Sequence, residues 1–334
     1  MRADRVFAYG AAVGLLGDLL LGDPRRGHPV AAFGRAAGTV ERALWRDHRG
    51  WGALHTAVCA GGAVSLAVAA RRSVRTSPVA SVVLTAAATW AVVGGTSLGR
   101  EARAVGGALA AGDIEVARER LPHLCGRDPQ ALDADGIARA VVESVAENTS
   151  DAVVGALVWG AVADVPGLVG FRAVNTLDAM VGHKSTRHRR YGWASARLDD
   201  VVGWPGARLT AVLAAVAGGN PRGAVTAWRA DAGKHPSPNA GPVEASFAGA
   251  LGVRLGGTLS YAGRVEHRPV LNGPGRAVRV EDIERAVRLS RRVSLLALGA
   301  SVAGRLLVTS LVTSLTTSHA GPLAKSPVTK GRTS

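Results

Sequence analysis

The sequence predicts an all-α fold: a multi-pass helical integral membrane protein whose polar helical segments, between the spans, carry the chemistry. Three observations lead there. Of the 334 residues, 47% are apolar and only 19% are charged. Four apolar stretches, 6–21, 53–70, 79–98 and 293–315, approach the roughly 20 residues that a helix needs to cross the hydrocarbon core. The middle two contain no Asp, Glu, Lys or Arg, and the short polar "RRSVRTSP" between them reads as a hairpin turn. Only helices and closed barrels satisfy their backbone in lipid, and apolar runs this long are helical.

In chain order, 6–21 carries Asp18 and no small-residue cleavage site before the polar "GDPRRGHP", so it reads as a retained helix rather than a signal peptide. After 53–70 and 79–98 comes "GREARAVGGALAAGDIEVARERL", whose apolar period predicts two helices broken at Gly112 and Asp113. Three further stretches are weaker spans, re-entrant, interfacial or core segments: 153–170 with Asp164 and Pro166, 207–219, and 243–261 with Arg254. The last firm span, 293–315, includes Arg305. The whole of 1–315 reads as one membrane domain, and 316–334, rich in turn residues and without apolar period, as a disordered tail. Arg residues flank the spans on both sides, so the positive-inside count fixes no orientation.

There are 40 Lys and Arg against 25 Asp and Glu. Lysine occurs only at Lys184, Lys234, Lys325 and Lys330. An Ala, Gly, Val and Arg-rich composition fits a GC-rich coding sequence, and no nucleic-acid partner is expected. The basic excess suits phosphate-bearing substrates or the membrane lipid face. Cys59 and Cys125 form no pair at metal or redox spacing, which excludes a disulfide framework or zinc site.

The chemistry must lie in the polar strings. "VESVAENTSD" places Glu143, Glu147 and Asp151 four residues apart on what would be one helical face. Like charges at that spacing repel unless a cation or proton lies between them. A hard cation such as Mg²⁺ suits these oxygens. A solvated helix end capped by Asn148 or Ser150 accounts for the same spacing. Further on, "FRAVNTLDAMVGHKSTRHRRYGWASARLDD" sets Arg172, Asn175 and Asp178 on one helical face. Lys184, Arg187, Arg189, Arg190 and Arg197 follow, interleaved with Tyr191 and Trp193, before the pair Asp199 and Asp200. This is either a phosphate or nucleotide pocket or a basic juxtamembrane collar. "KHPSPNAGPVE" gathers Lys234, His235, Ser237, Asn239 and Glu244 in a Pro-rich loop. The chain has neither the phosphate loop of common NTPases nor a dinucleotide fingerprint, nor a nucleophile elbow.

Taken in order from about residue 17 to 263, "DLLLGDPRRGHPVAAFGR", "EARAV", "GRDPQALDADGIARAVVESVAENTSD", "FRAVNTLDAMVGHK", "YGWASARLDDVVGWPGARLTA" and "SPNAG" with "AGALGVRLGG" resemble the cobalamin-biosynthesis membrane proteins of CbiB/CobD type, the adenosylcobinamide-phosphate synthases. The resemblance implies ATP-dependent amide formation between the free carboxylate of a cobyric acid-type corrinoid and aminopropanol or its phosphate. It implies ATP and Mg²⁺ as co-substrate and metal, with the corrinoid cobalt belonging to the substrate. The location implied is the cell membrane, with the active site on the cytoplasmic side and room for other cobalamin-biosynthesis proteins as partners.

By residue type, Glu147, Asp151 and Asp178 are then the metal candidates, and Arg172, Asn175, Lys184, Arg187, Arg197 and Asn239 the substrate and phosphate candidates. Glu143, Glu147, Asp199, Asp200 and His235 are the catalytic candidates, the last three as acceptors of the amine proton. The chain departs from the family pattern at Ala152, Ala156, His183 and Gly203. A single site that uses both acidic strings requires 153–170 to turn back rather than cross. Two other classes fit parts of the sequence: a transporter or proton-coupled carrier with Asp18, Asp164 and Arg305 along a path, and a structural scaffold for a biosynthetic complex.

Overall fold

The computed structural model describes residues 3–24, 27–183, 185–261 and 264–319. Among these the chain is helical apart from one two-stranded hairpin. The helices are α1 (Ala3–Leu21), α2 (Pro29–Leu44), α3 (Arg49–Ser73), α4 (Pro78–Val92), α5 (Gly95–Ala110), α6 (Ile114–Arg120), α7 (Ala134–Thr149), α8 (Gly155–Leu177), α9 (Trp193–Ala217), α10 (Pro221–Asp231), α11 (Ala240–Leu251) and α12 (Glu281–His319). Strands β1 (Leu255–Tyr261) and β2 (Arg264–Leu271) pair antiparallel. Four helical stretches are long and apolar enough to cross a membrane: Arg49–Ser73, Pro78–Ala110, Ala134–Gly182 and Glu281–Ser310.

This set differs from the four firm spans read in the sequence. Segments 53–70, 79–98 and 293–315 fall on it, whereas 6–21 lies in α1, whose Asp4, Arg5 and Asp18 keep it outside. The fourth place goes to Ala134–Gly182, which contains the weak span 153–170. The stretch 243–261 is the 12-residue α11 followed by β1, too short a helix to cross, and 207–219 is the end of α9. Helix α12 continues to His319, into the expected tail, and 320–334 lie outside the described residues.

The polarity of the bundle is that of a protein dissolved in lipid. Tyr9, Val13, Leu16 and Leu20 form an exposed stripe on α1, with Leu66 on α3, Val79 and Val83 on α4, and Leu307 and Val308 on α12 continuing the apolar surface. Inside, small hydroxyl residues are buried: Thr56, Ser81, Thr85, Thr89, Ser195 and Thr210. Several return their proton to their own helix, as Thr85 Oγ1 to Ser81 O at 2.9 Å and Thr89 Oγ1 to Thr85 O at 2.8 Å. Gly10 and Gly14 of α1 face Thr85 and Thr89 of α4 so closely that a Cβ at either would overlap the threonine. The two helices thus run parallel at small-residue distance.

The element that decides the site is α8. Its backbone breaks at Ala163 (φ −129°, ψ 17°) and Asp164 (φ 57°, ψ −141°), one residue before Val165–Pro166. Proline at 166 removes a backbone donor from the next turn, and the residue before a proline resists the helical region. The two limbs fold back on each other: Gly155 lies against Phe171, Gly167 against the carbonyl of Trp159, and a Cβ on Gly160 would come within 2.9 Å of Leu168. Asp164, at the tip, accepts from Arg71 Nε at 2.8 Å and from Thr85 Oγ1 at 3.2 Å. The tip therefore reaches the α3–α4 turn, while residues 151 and 175 stay together at the opposite end.

Candidate functional site

The site is built at that opposite end, where α7, α8 and α9 converge. Asp133 starts α7 by accepting from Gly136 N at 2.8 Å, with Asp135 in the positive first turn. The helix then widens into π-helical turns over Ser150–Val154, and the returning limb of α8 does the same over Asp178–Gly182. An inserted residue of this kind rotates side chains relative to the preceding turns and is frequent at functional sites. Each π segment carries one of the predicted acids, Asp151 and Asp178.

The acids meet across the hairpin. Asn175 Nδ2 donates to Asp151 Oδ2 at 3.3 Å and lies 3.5 Å from Asp199 Oδ1, while Arg172 Nη1 donates to Asn175 Oδ1 at 3.3 Å. Burial pushes the Asp199 carboxyl up to about 7, and the charges of Asp178, Asp200 and Glu147 add to it against the Asn175 hydrogen bond. Glu147, Asp151, Asp178, Asp199 and Asp200 thus share one region of negative potential. Glu147 is exposed in spite of these neighbours. Asp200 also pairs with Arg197, at 3.1 Å, on the exposed surface.

Asn239 holds the acid pair from behind. Its Nδ2 donates to the carbonyl of Asp200 at 3.0 Å and its Oδ1 accepts from Arg208 Nη1 at 2.9 Å. Gly203 packs so closely on Asn239 that a Cβ there would meet its amide at 2.6 Å. Arg172 also lines a neighbouring cavity of about 310 Å³, with Asp23, Glu101, His123 and Asn148, and its Nε has no partner. A cation beside the acids with an open donor is the arrangement that anionic substrate oxygens require.

Other predicted residues lie elsewhere. Glu143 is buried, paired with Arg127 and accepting from Gly256 N at 2.7 Å. His235 is in the same deeper layer, with Nε2 3.7 Å from Glu244 Oε1 and 3.5 Å from Arg268 Nη1, and Nδ1 accepting from Ser237 N at 3.1 Å. Burial, then the Arg268 charge, lowers the affinity of His235 for a proton. Burial, followed by Glu143 and Glu147, raises the Glu244 carboxyl well above its ordinary range. Arg187 turns away to α2, with Nη2 3.2 Å from Glu41 Oε1 and its guanidinium 4.6 Å from the Trp45 ring centroid. His188 joins it on Glu41 at 3.0 Å. Lys184 lies outside the described residues.

Sequence reasoning missed Arg127, Arg268 and Glu244 as members of this layer. Arg127 sits in a loop without periodicity and Arg268 on β2, in a region read without a strand. In the sequence Glu244 reads only as part of a connecting loop. The carrier path also fails geometrically: Asp18 is fixed by Thr96 near the site end, whereas Asp164 and Arg305 lie at the other end, bonded to Arg71 and to the carbonyls of Gly160 and Ala161.

Whether the residues suit Mg²⁺ depends on their donors. Among the described residues no three His, Cys, Asp or Glu side chains stand close enough to hold a metal by themselves. Mg²⁺ usually takes one or two carboxylates, with waters and substrate phosphates completing its shell. Asp151, with Glu147 and Asp178 among the acids around it, offers that kind of donor set.

A family model described as CobD/Cbib protein matches residues 11–290. The Mycobacterium tuberculosis protein called cobalamin biosynthesis protein CobD is 53% identical over 306 residues, spanning 90% of this chain and 96% of that one. A protein of the same name from Chromobacterium violaceum is 42% identical over 301 residues, with 89% and 96% covered. That from Rhodobacter capsulatus is 40% identical over 311 residues, with 90% and 95% covered. No solved structure matches the chain.

Proposed function

Because the chain belongs to the CobD/CbiB family and works in cobalamin biosynthesis, we propose that it is a membrane-embedded amide ligase that couples the free carboxylate of a cobyric acid-type corrinoid to aminopropanol or its phosphate at the expense of ATP. The observation that carries this reading is the meeting of Asp151, Asn175 and Asp199 beside Arg172, made by the reversal of α8 at Ala163 and Asp164.

A carboxylate is a poor acyl donor until its oxygen is made a leaving group, which ATP does by phosphorylation or adenylation. In this reading Arg172 binds the anionic oxygens of the nucleotide or of the activated acyl group. Glu147, Asp151 and Asp178 would hold Mg²⁺, which would supply neutralisation of phosphate charge. Asn175 fixes the separation of the Asp151 and Asp199 carboxylates. The attacking amine must lose a proton before it becomes nucleophilic. Asp199, with burial raising its carboxyl to about 7, is suited to accept that proton near neutral pH. Asn239 and Arg208 keep the Asp199–Asp200 turn in place from the protein side. Arg127, Glu143, His235, Glu244 and Arg268 form the support beneath. The proposed setting is the cell membrane with the site facing the cytoplasm, where ATP is available.

The test is direct. Purified protein is supplied with cobyric acid, aminopropanol or its O-phosphate, ATP and Mg²⁺, and both products are identified. Corrinoid amide with ADP supports an acyl phosphate route, and amide with AMP an adenylate route. Absence of amide and of nucleotide turnover with both amines sinks the proposal.

A further inference from the structure

The arginines that follow Asp178 meet those of the α2–α3 junction. The carbonyl of Tyr191 lies so close to Gly52 that a Cβ there would overlap it, and Trp193 Nε1 donates to the carbonyl of Arg49 at 3.0 Å. Arg190 Nη1 stands 3.8 Å from Asp47 Oδ2. Helix α3 starts at this junction and is long and apolar enough to cross a membrane, so the contact lies at a membrane boundary. Trp51, in the first turn of α3, and Trp193, at the start of α9, are each 41% exposed beside it. Part-exposed tryptophans at the end of a span mark the headgroup level, where an indole meets both hydrocarbon and water.

Across 42–52 and 185–193 there are six arginines and one acid, Asp47. Arg187 is taken by Glu41, which leaves Arg42, Arg46, Arg49, Arg189 and Arg190, all of them exposed. The side chains of Arg49 and Arg189 make no ion pair or hydrogen bond among the described residues. Arg46 donates to the carbonyl of Trp45 and lies 5.8 Å from the Trp51 ring centroid. Trp45 adds a shielded indole N–H without an acceptor among the described residues. The surface is thus rich in donors and poor in acceptors. At the far end of α3 the turn into α4 exposes two arginines, Arg72 and Arg75, because Arg71 is paired with Asp164.

We propose that this surface binds the headgroups of anionic phospholipids, as a collar of arginines at headgroup depth. Guanidinium forks match phosphate oxygens, and clustered basic residues beside a span attract anionic lipid. Lipid is the occupant because the arginines stand at the end of a span between exposed tryptophans, at the depth where lipid phosphates lie. The difference between the two ends of α3 assigns this end to the leaflet richer in anionic lipid. The inference stands on the junction alone and does not rest on the amide ligase reading.

The experiment uses the full chain purified in detergent and given equimolar phosphatidylglycerol and phosphatidylcholine, with native mass spectrometry reading the lipid retained. Phosphatidylglycerol should be preferred by about thirtyfold at low salt, and 0.5 M salt should remove most of that preference, since about 0.5 M screens exposed charges within a few ångströms. The double variant Arg49→Gln, Arg189→Gln alters two exposed side chains without partners, so folding is not at risk. It should bring the preference near parity, at about fivefold for each arginine lost. Arg72→Gln with Arg75→Gln, at the other end of α3, should leave the preference in place. Equal retention of the two lipids by the parent overturns the proposal, as does a parent-like preference in the Arg49, Arg189 variant or an equal loss in the Arg72, Arg75 variant. Displacement of phosphatidylglycerol by inorganic pyrophosphate at matched ionic strength would assign the surface to soluble anions and overturn it too.

Discussion

Asn175 Nδ2 lies 3.3 Å from Asp151 Oδ2, although 24 residues separate them and a helical segment leaves and returns between the two. The amide is a donor placed between the carboxylate of Asp151, in the π-helical turn before α8, and that of Asp199 on α9, which would otherwise repel each other. Asn175→Ala should therefore lower amide synthesis by on the order of 10², the usual cost of removing a preorganised polar group from a charged site. Membrane insertion should not change. A parent rate in this variant would show that the bridge is incidental.

The hairpin tip makes a second prediction. Asp164 holds a positive φ that side-chain-bearing residues rarely adopt, and Arg71 Nε pairs with it at 2.8 Å. Arg71→Ala leaves a buried carboxylate without its partner and should cost about 3–5 kcal/mol. Asp164→Gly in the same background should recover part of that loss, because it removes both the unpaired charge and the backbone strain. Unfolding in detergent of the two single variants and the double variant measures the coupling, and simple additivity would reject the staple.

Topology follows from the same reversal. In a background lacking Cys59 and Cys125, a cysteine at the exposed tip position 163 should be labelled from the side opposite to one at position 189. Labelling of both from one side would contradict the full-length reversal of α8.

The pH dependence centres on Asp199, whose carboxyl burial raises from 3.8 to about 7, with Asp178 next in effect. The folded protein then binds this proton more tightly than the unfolded chain, so this residue makes stability fall as pH rises from about 4 to 7 and leaves it level above that range. Asp199→Asn should be more stable than the parent at pH 8 and nearly equal to it at pH 4. Amide synthesis by the parent should decline as pH falls below about 7, where the proton acceptor is filled. Thermal unfolding of both proteins across pH 4–8 reads the first effect and initial rates read the second.

The metal reading rests on Glu147 and Asp178. Replacing either by Ala should lower turnover on the order of 10² or more, with partial rescue by raised Mg²⁺. Glu119→Ala, on the exposed face of α6, should stay within about 0.5 kcal/mol of the parent in stability and retain its activity. Parent rates in both acid variants would remove them from the site.

The sequence by itself determined the helical class, the lipid-compatible stretches 53–70, 79–98 and 293–315, and the strings in which acids, amides and arginines are dense. Those features are local: apolar length and residue spacing act within one helix. It also located the irregularity at Asp164 and Pro166, because proline chemistry is local too. Only the tertiary structure decided that the break at Ala163 reverses the chain, that Asp151 and Asp199 share Asn175, and that Arg187 serves Glu41 and Trp45 rather than the acids. The layer of Arg127, Glu143, His235, Glu244 and Arg268 was equally hidden. Its members come from two loops, the helices α7 and α11 and a strand, and buried charges choose partners by proximity in space, which no spacing along the chain encodes.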